Sequence, residues 1–196
     1  MDKPFSQACE NNKTHILEII KTYFARGLIL EIGTGTGQHA VFFANQLTQI
    51  TWQTSDQQQY HHGIDLWLAD YSGSNLKAPV VLNVDQADWP ISQANGIFSA
   101  NTAHIMHWPS VVNMFNGASK LLCPDSYFCL YGPINIDGNY TSESNKAFDQ
   151  HLRNTDPGMG IRDLNDLTQL AKQTGFELAE LHQMPANNVT MIWQRC

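Results

Sequence analysis

Four groups of residues in this 196-residue chain have types and spacings that do chemistry. The first is Glu31, Ile32, Gly33, Thr34, Gly35, Thr36 and Gly37, an acid followed by glycines at alternate positions. Glycine lets a backbone turn sharply and come close to a ligand with no side chain in the way. The second is Asp56, one helix and one strand further on. A carboxylate there can accept hydrogen bonds from both hydroxyls of a ribose, although alone it reads equally as a turn or helix-cap aspartate. The third is Asp85, beyond a third strand, where a carboxylate can reach an adenine amine or simply face solvent. The fourth is Asn101, His104 and His107, just past a fourth strand. A histidine in that place suits a base that takes a proton from a nucleophile, or a hydrogen-bonded structural role. The two histidines have metal-ligand spacing if helical, but no nearby carboxylate or thiol completes a set, so no metal is expected.

The glycine run lacks the Gly-Lys-Ser/Thr ending of a phosphate-cradling loop. Nor does it carry the third glycine of a dinucleotide fingerprint, because Gln38 stands where that glycine would be. The alternation of acid and glycines instead resembles the first motif of class I methyltransferases that use S-adenosylmethionine.

These residues need a scaffold. Leu28, Ile29, Leu30 and Ile32 read as a strand buried on both faces, as in parallel sheets covered by helices. Further strands are expected at 50–54, 79–84, 96–100 and 126–131, and two antiparallel closing strands at 176–181 and 189–193. Helices are expected at 12–24 (capped by Asn11 or Asn12), 58–71, 109–122, 142–153 and 163–174. In the helix at 142–153, Asn145, Asp149 and Arg153 share one face, while Phe148 and Leu152 turn to the core. That polar face is either an exposed ion pair or a wall over a substrate.

A formal net charge of -7 argues against a broad nucleic-acid interface and favours a small molecule as partner. Charged residues form 15% of the chain, below the roughly 25% of ordinary soluble domains. Four cysteines form no metal-ligand pattern, the first ten residues lack a signal peptide's basic and apolar segments, and no run reaches membrane-spanning length. A cytoplasmic protein of one domain is the expectation; composition says nothing of its oligomeric state.

Over nearly its whole length the chain resembles the methyltransferase-like protein 26 family. The resemblance is carried by Phe5 to Asn12, the glycine motif extended through Gln38, His39 and Ala40, the pair Ser55 and Asp56, and Tyr131, Gly132 and Pro133. Ser144, Asn145, Phe148, Asp149, Leu152 and Arg153 add to it, with Arg162, Asp163 and Met184 to Asn188. It implies an α/β, Rossmann-like class I methyltransferase fold: a seven-stranded, mostly parallel sheet with an antiparallel last strand and helices on both faces. Met106 and His107 stand where that family is expected to have Ser and Pro, and Met159 replaces a usual tryptophan, so no acceptor follows from the resemblance.

The resulting expectation is a single domain over 1–196, with 1–26 as an amino-terminal helical cap and 133–161 as a substrate-side insertion. It would transfer a methyl group from S-adenosylmethionine, releasing S-adenosylhomocysteine, to a small-molecule acceptor (class EC 2.1.1). Glu31, Gly33, Thr34, Gly35, Gly37, Asp56, Asp85 and Asn101 would hold the cofactor. His104, Tyr131 and Asn101 would serve catalysis, with His104 as the base. His107, Asn145, Asp149, Arg153, Arg162, Asn187 and Asn188 would face the acceptor. Two alternatives stand beside it: a non-catalytic module that binds the cofactor or a partner on the same fold, and a nicotinamide-dependent oxidoreductase, against which the glycine spacing weighs.

Overall fold

The computed structural model describes residues 2–196, so Met1 of the expected 1–26 cap lies outside the described residues. The chain runs α1 (Gln7–Tyr23), β1 (Gly27–Ile32), α2 (Gln38–Gln46), β2 (Ile50–Asp56), α3 (His61–Leu68), β3 (Leu76–Val81), β4 (Ala94–Ala100) and α4 (Trp108–Leu121). It continues with β5 (Leu122–Gly132), β6 (Ile134–Ile136), β7 (Asn139–Tyr140), α5 (Glu143–Thr155), β8 (Arg162–Asp163), α6 (Leu164–Gln173), β9 (Phe176–Met184) and β10 (Asn188–Arg195). Seven strands form the main sheet in the order β3-β2-β1-β4-β5-β10-β9. β1 pairs in parallel with β2 and β4, and β10 lies antiparallel between β5 and β9. This is the expected class I methyltransferase fold. Its winding order reverses between β1 and β4, so the loops leaving those strands diverge and open a crevice at their carboxyl ends.

Strand pleating sends neighbouring residues to opposite faces, and the two hydrophobic clusters record that alternation. Ile97, Phe128, Leu130, Met191 and Trp193 pack with Phe115 of α4 and Phe176 on one face. Phe98, Cys129, Tyr131 and Ile192 pack with Ile16 and Ile20 of α1 and Phe43 of α2 on the other. The same parity on β1 puts Ile29 on the α1/α2 face and Leu30 on the α4 face.

The third strand runs over Leu76–Val81 rather than 79–84, and three further expectations change. The first helix begins five residues early, because Ser6 rather than Asn11 or Asn12 is its cap: the Ser6 hydroxyl accepts from the Cys9 N–H at 3.4 Å. The first turn is polar, so hydrophobic periodicity passed over it. Asn12 instead lies inside α1, where its Oδ1 accepts from the Nε2–H of His39 at 2.6 Å.

The segment 133–161 is more than a helix, since β6, β7 and β8 form a small second sheet. Strands of two or three residues give too short a pattern to read from sequence.

The third change is the orientation of α5. Leu152 is buried as expected, but Asp149 is 1% exposed and Phe148 36% exposed, the reverse of the sequence reading. Asp149 turns inward because its partners are there. Its Oδ1 accepts from Ile161 N at 2.6 Å, and its Oδ2 accepts from Tyr140 Oη at 2.8 Å and Arg153 Nε at 2.7 Å. Removing that carboxylate leaves the buried Ile161 N–H unpaired, and Asp149→Ala is expected to cost roughly 3 kcal/mol, read as a lower urea midpoint. An unchanged midpoint would show that the small sheet does not depend on it.

Candidate functional site

A cavity of about 1340 Å³ lies over the carboxyl ends of the parallel strands. Ordinary ligand pockets span about 300–1,000 Å³, so this one has room for a nucleoside-sized cofactor and a second small molecule together.

The glycine turn forms its floor. Gly33 N and Thr34 N both donate to Ser55 O, at 3.1 and 3.0 Å, which clamps the turn to the end of β2. Gly33 has φ +75°, and a Cβ there would stand 2.4 Å from Thr102 Cγ2, so its bareness lets the turn pack against the loop after β4. Gly35 has φ +63°, and a Cβ there would meet nothing within 4 Å. Bareness at Gly35 therefore keeps the cavity floor open, while at Gly37 it makes room for Trp67 and Ile64 of α3. Gly35 N donates to Asp56 Oδ2 at 2.8 Å, and Asp56 Oδ1 accepts from Gln57 N at 2.8 Å. Burial raises the Asp56 pKa against the pull of these two bonds. Each oxygen keeps a lone pair for a further donor.

Glu31 is not on the cavity wall. It shares the face of Ile29 and is 2% exposed, with its Oε2 accepting from Thr34 Oγ1 and Trp52 Nε1, both at 3.0 Å. Burial pushes its pKa up to about 7, against the two hydrogen bonds. Its reach to the cavity is indirect, through Thr34, which lines the cavity and also accepts from Ser55 N at 3.1 Å.

Asp85 lines the cavity beyond β3, where Ser110 Oγ and Asn113 Nδ2 donate to its two oxygens at 3.0 Å each. The start of α1 forms another wall through Ser6, Ala8 and Cys9. Gln38 ties it down: its Oε1 accepts from Ser6 N at 2.5 Å and its Nε2 donates to Glu10 Oε1 at 2.9 Å. His39, also on the wall, stacks on Phe43 at 5.2 Å, and burial pulls its pKa down to about 4. The sequence reading made this segment a helical cap but named none of its residues at the site, since a contact between the first ten residues and the glycine turn has no local signal.

At the other end, Asn101 turns the chain out of β4 with φ +59° and donates its N–H to Tyr131 O at 2.9 Å. Asparagine tolerates this left-handed conformation better than most residues. A Cβ added to Gly132 would lie 3.7 Å from His104 Nδ1 and 3.9 Å from Asn101 Oδ1, so both side chains stand together over the end of β5. His104 is 6% exposed and lines the cavity. Its ring meets Phe148 edge-on at 5.2 Å, and among the described residues its nitrogens have no hydrogen-bond partner. Burial, and then the charge of Arg162, pull its pKa down to about 4, so the imidazole is neutral at neutral pH.

The expected site residues therefore divide. Asn145, Asn188 and His107 line the cavity, with His107 Nε2 2.8 Å from Asp156 Oδ2. Tyr131 does not, because pleating turns it under α1. Asp149 and Arg153 pair with each other behind α5, and Arg162 donates to the carbonyls of Ala103, Met106 and Gly158. Asn187 contributes its carbonyl to Asn145 Nδ2 at 2.9 Å. Met159, one of the two departures from the family pattern expected near the substrate pocket, lines the cavity, and so does Phe148, which the sequence reading turned to the core. Among the described residues no group of three His, Cys, Asp or Glu could hold a metal ion, and no helix is long and apolar enough to cross a membrane.

The family described as "Protein of unknown function (DUF938)" matches residues 3–195. Among solved structures, an O-methyltransferase family protein from Burkholderia thailandensis is similar with a TM-score of 0.84 at 14% identity, over 96% of this chain and 56% of that one. The mitomycin 7-O-methyltransferase MmcR is similar with a TM-score of 0.84 at 12% identity, over 96% and 54%. The O-methyltransferase NcsB1 from neocarzinostatin biosynthesis, in complex with S-adenosylmethionine and 2-hydroxy-5-methyl naphthoic acid, is similar with a TM-score of 0.80 at 16% identity, over 96% and 55%. At these identities the likeness is one of fold, and this chain spans a little over half the length of those structures.

The raised Glu31 pKa has a consequence for stability. Above its ordinary pKa of 4.5 the unfolded chain releases this proton while the folded one holds it up to about 7, so stability falls as pH rises through that window. Glu31→Gln, which keeps an acceptor for Thr34 and Trp52, is expected to gain on the wild type by up to roughly 3 kcal/mol between pH 4.5 and pH 8. Parallel denaturation curves at the two pH values would contradict this.

Proposed function

Because the chain belongs to the DUF938 family of proteins of unknown function, its activity must be argued from the site, and we propose that it transfers a methyl group from S-adenosylmethionine to a small-molecule acceptor. We place it, more narrowly, in the methyltransferase-like protein 26 group. The observation that carries the reading is the pairing of Gly35 and Asp56: an open floor beside a carboxylate held by two backbone N–H groups, continuous with a second chamber that contains His104. The small acceptor named for one of the similar structures supports a small acceptor here.

The residues present fit the cofactor. Asp56 would take the ribose hydroxyls, Asp85 the adenine edge, and the turn from Gly33 to Gly35 the methionine half. Glu31 would act as a positioning residue that fixes Thr34. When bound, S-adenosylmethionine supplies a methyl group already activated by its sulfonium. The chain's task is then to orient the acceptor, exclude water and receive a proton. Residues 1–26 would cover the cofactor through Ser6 and Cys9. The segment 133–161 would cover the acceptor through Asn145 and Phe148, and Asn188 would join it. His104 would be the base, with Asn101 beside it. Tyr131, behind the sheet, would support α1 instead.

A ligand that binds only the folded state raises its stability by mass action. S-adenosylmethionine and S-adenosylhomocysteine should each raise the Tm, and a rise with NADH alone would overturn the proposal. Asp56→Ala removes two charge-assisted acceptors and should weaken S-adenosylhomocysteine binding by about 10- to 100-fold. His104→Ala should lower turnover by about 100-fold with cofactor affinity unchanged, and normal turnover would remove His104 from the mechanism.

A further inference from the structure

Charge divides the cavity into two ends. On the side of β1, β2 and β3 its wall carries the carboxylates of Asp56 and Asp85. On the side of β4, β5 and α5 no carboxylate, lysine or arginine among the described residues lines it. That end presents Ile105, Met106, Phe148 and Met159, with the amides of Asn101 and Asn145, around His104. The arginines expected there are committed elsewhere. Arg153 is paired with the buried Asp149, Arg162 is held by three backbone carbonyls, and His107, which also lines this end, has its Nε2 engaged by Asp156. A carboxylate or phosphate brought into this end would lose its water and find no counter-charge.

The same surface favours a ring. Phe148 stands with its ring exposed toward the cavity at right-angled contact with His104, and two thioethers line the same end, which suits stacking and sulfur–aromatic contacts. Resting on the methyl-transfer reading, we propose that the acceptor is an uncharged aromatic molecule whose reacting group is a phenolic hydroxyl presented to His104. In that step the acceptor oxygen bonds to the methyl carbon as the methyl–sulfur bond breaks. Sulfur keeps that bond's electron pair, and the hydroxyl proton passes to a free ring nitrogen of His104.

The proton balance limits the hydroxyl. His104 is neutral but weakly basic, so it can relieve an acidic hydroxyl and not an aliphatic one. Arg162, whose positive field lowers the His104 pKa, favours negative charge on an oxygen at the same place. Negative charge is therefore tolerated at the reacting oxygen and nowhere else in that chamber.

The test uses the full chain saturated with S-adenosylhomocysteine and three probes, 2-naphthol, 3-hydroxy-2-naphthoate and 2-naphthalenemethanol, titrated calorimetrically. The naphthol should bind at least about tenfold more tightly than the carboxylated probe, which must desolvate an unpaired charge. Ile105→Arg, at an exposed position on the chamber wall, should supply the missing counter-charge and narrow that gap. With S-adenosylmethionine the naphthol should be methylated, whereas the naphthalenemethanol should bind comparably and stay unmethylated. Carboxylate binding as tight as that of the naphthol, methylation of the naphthalenemethanol, or binding of none of the three overturns the proposal. A chain that binds S-adenosylhomocysteine yet prefers the carboxylate overturns this inference alone, whereas failure to bind S-adenosylhomocysteine overturns the methyl-transfer reading with it.

Discussion

A carboxylate buried under a glycine turn has to be satisfied by whatever stands around it, and at Glu31 that requirement shapes the β1/β2 end of the cavity. Thr34 and Trp52 donate to one of its oxygens, and its own carbonyl accepts from Ser55 Oγ at 2.6 Å. Thr34 in turn meets Ser55 N, and Ser55 O takes the N–H groups of Gly33 and Thr34. The end of β1, the turn and the end of β2 thus form one hydrogen-bonded unit, and Gly35 and Asp56 are placed by it. Burying a carboxylate is costly, and the raised pKa of Glu31 is the visible sign of that cost. Rigid placement of a bare turn on the cavity floor, with its amides held by Ser55 O and Asp56 Oδ2, is what the arrangement achieves.

The acceptor side is built on a different principle. There the chain leaves regular structure at Asn101, makes a small second sheet, and lays α5 across the opening. The helix is held by polar contacts on its inner face, through Asp149 to Ile161 and Tyr140 and through Asn145 to the Asn187 carbonyl. That frees Phe148 to face the cavity. Charges needed to hold the lid are thus used up behind it, and the chamber in front stays uncharged.

The two sides meet at Thr102. Ser99 Oγ donates to Ile32 O at 2.8 Å, which leaves the Thr102 hydroxyl to donate to Ser99 Oγ at 2.5 Å, while the Thr102 methyl fills the space left bare at Gly33. The loop that carries His104 is thereby in direct contact with the glycine turn. The loop after β4 and the glycine turn are registered against each other through a contact of one methyl group.

The order of strands and helices, the glycine turn and the placement of Asp56 at the end of β2 were legible in the sequence, because each depends on spacing within one strand–turn–helix unit; Asp85 lies past the end of β3 at Val81 rather than directly at a strand end. Buried apolar runs alternating with amphipathic helices also marked a parallel sheet covered by helices, whereas the seven-stranded order with its antiparallel strand came from the family resemblance. Tertiary structure alone decided which face each strand residue takes at the site. Pleating turned Glu31 and Tyr131 away from the cavity toward α2 and α1, and a strand apolar on both faces carries no sign of that parity. It also decided the roll of α5, because the partners that draw Asp149 inward come from Tyr140 and Ile161 on either side of the helix. Helical periodicity groups residues onto a face; only distant hydrogen-bond partners determine which way the face turns.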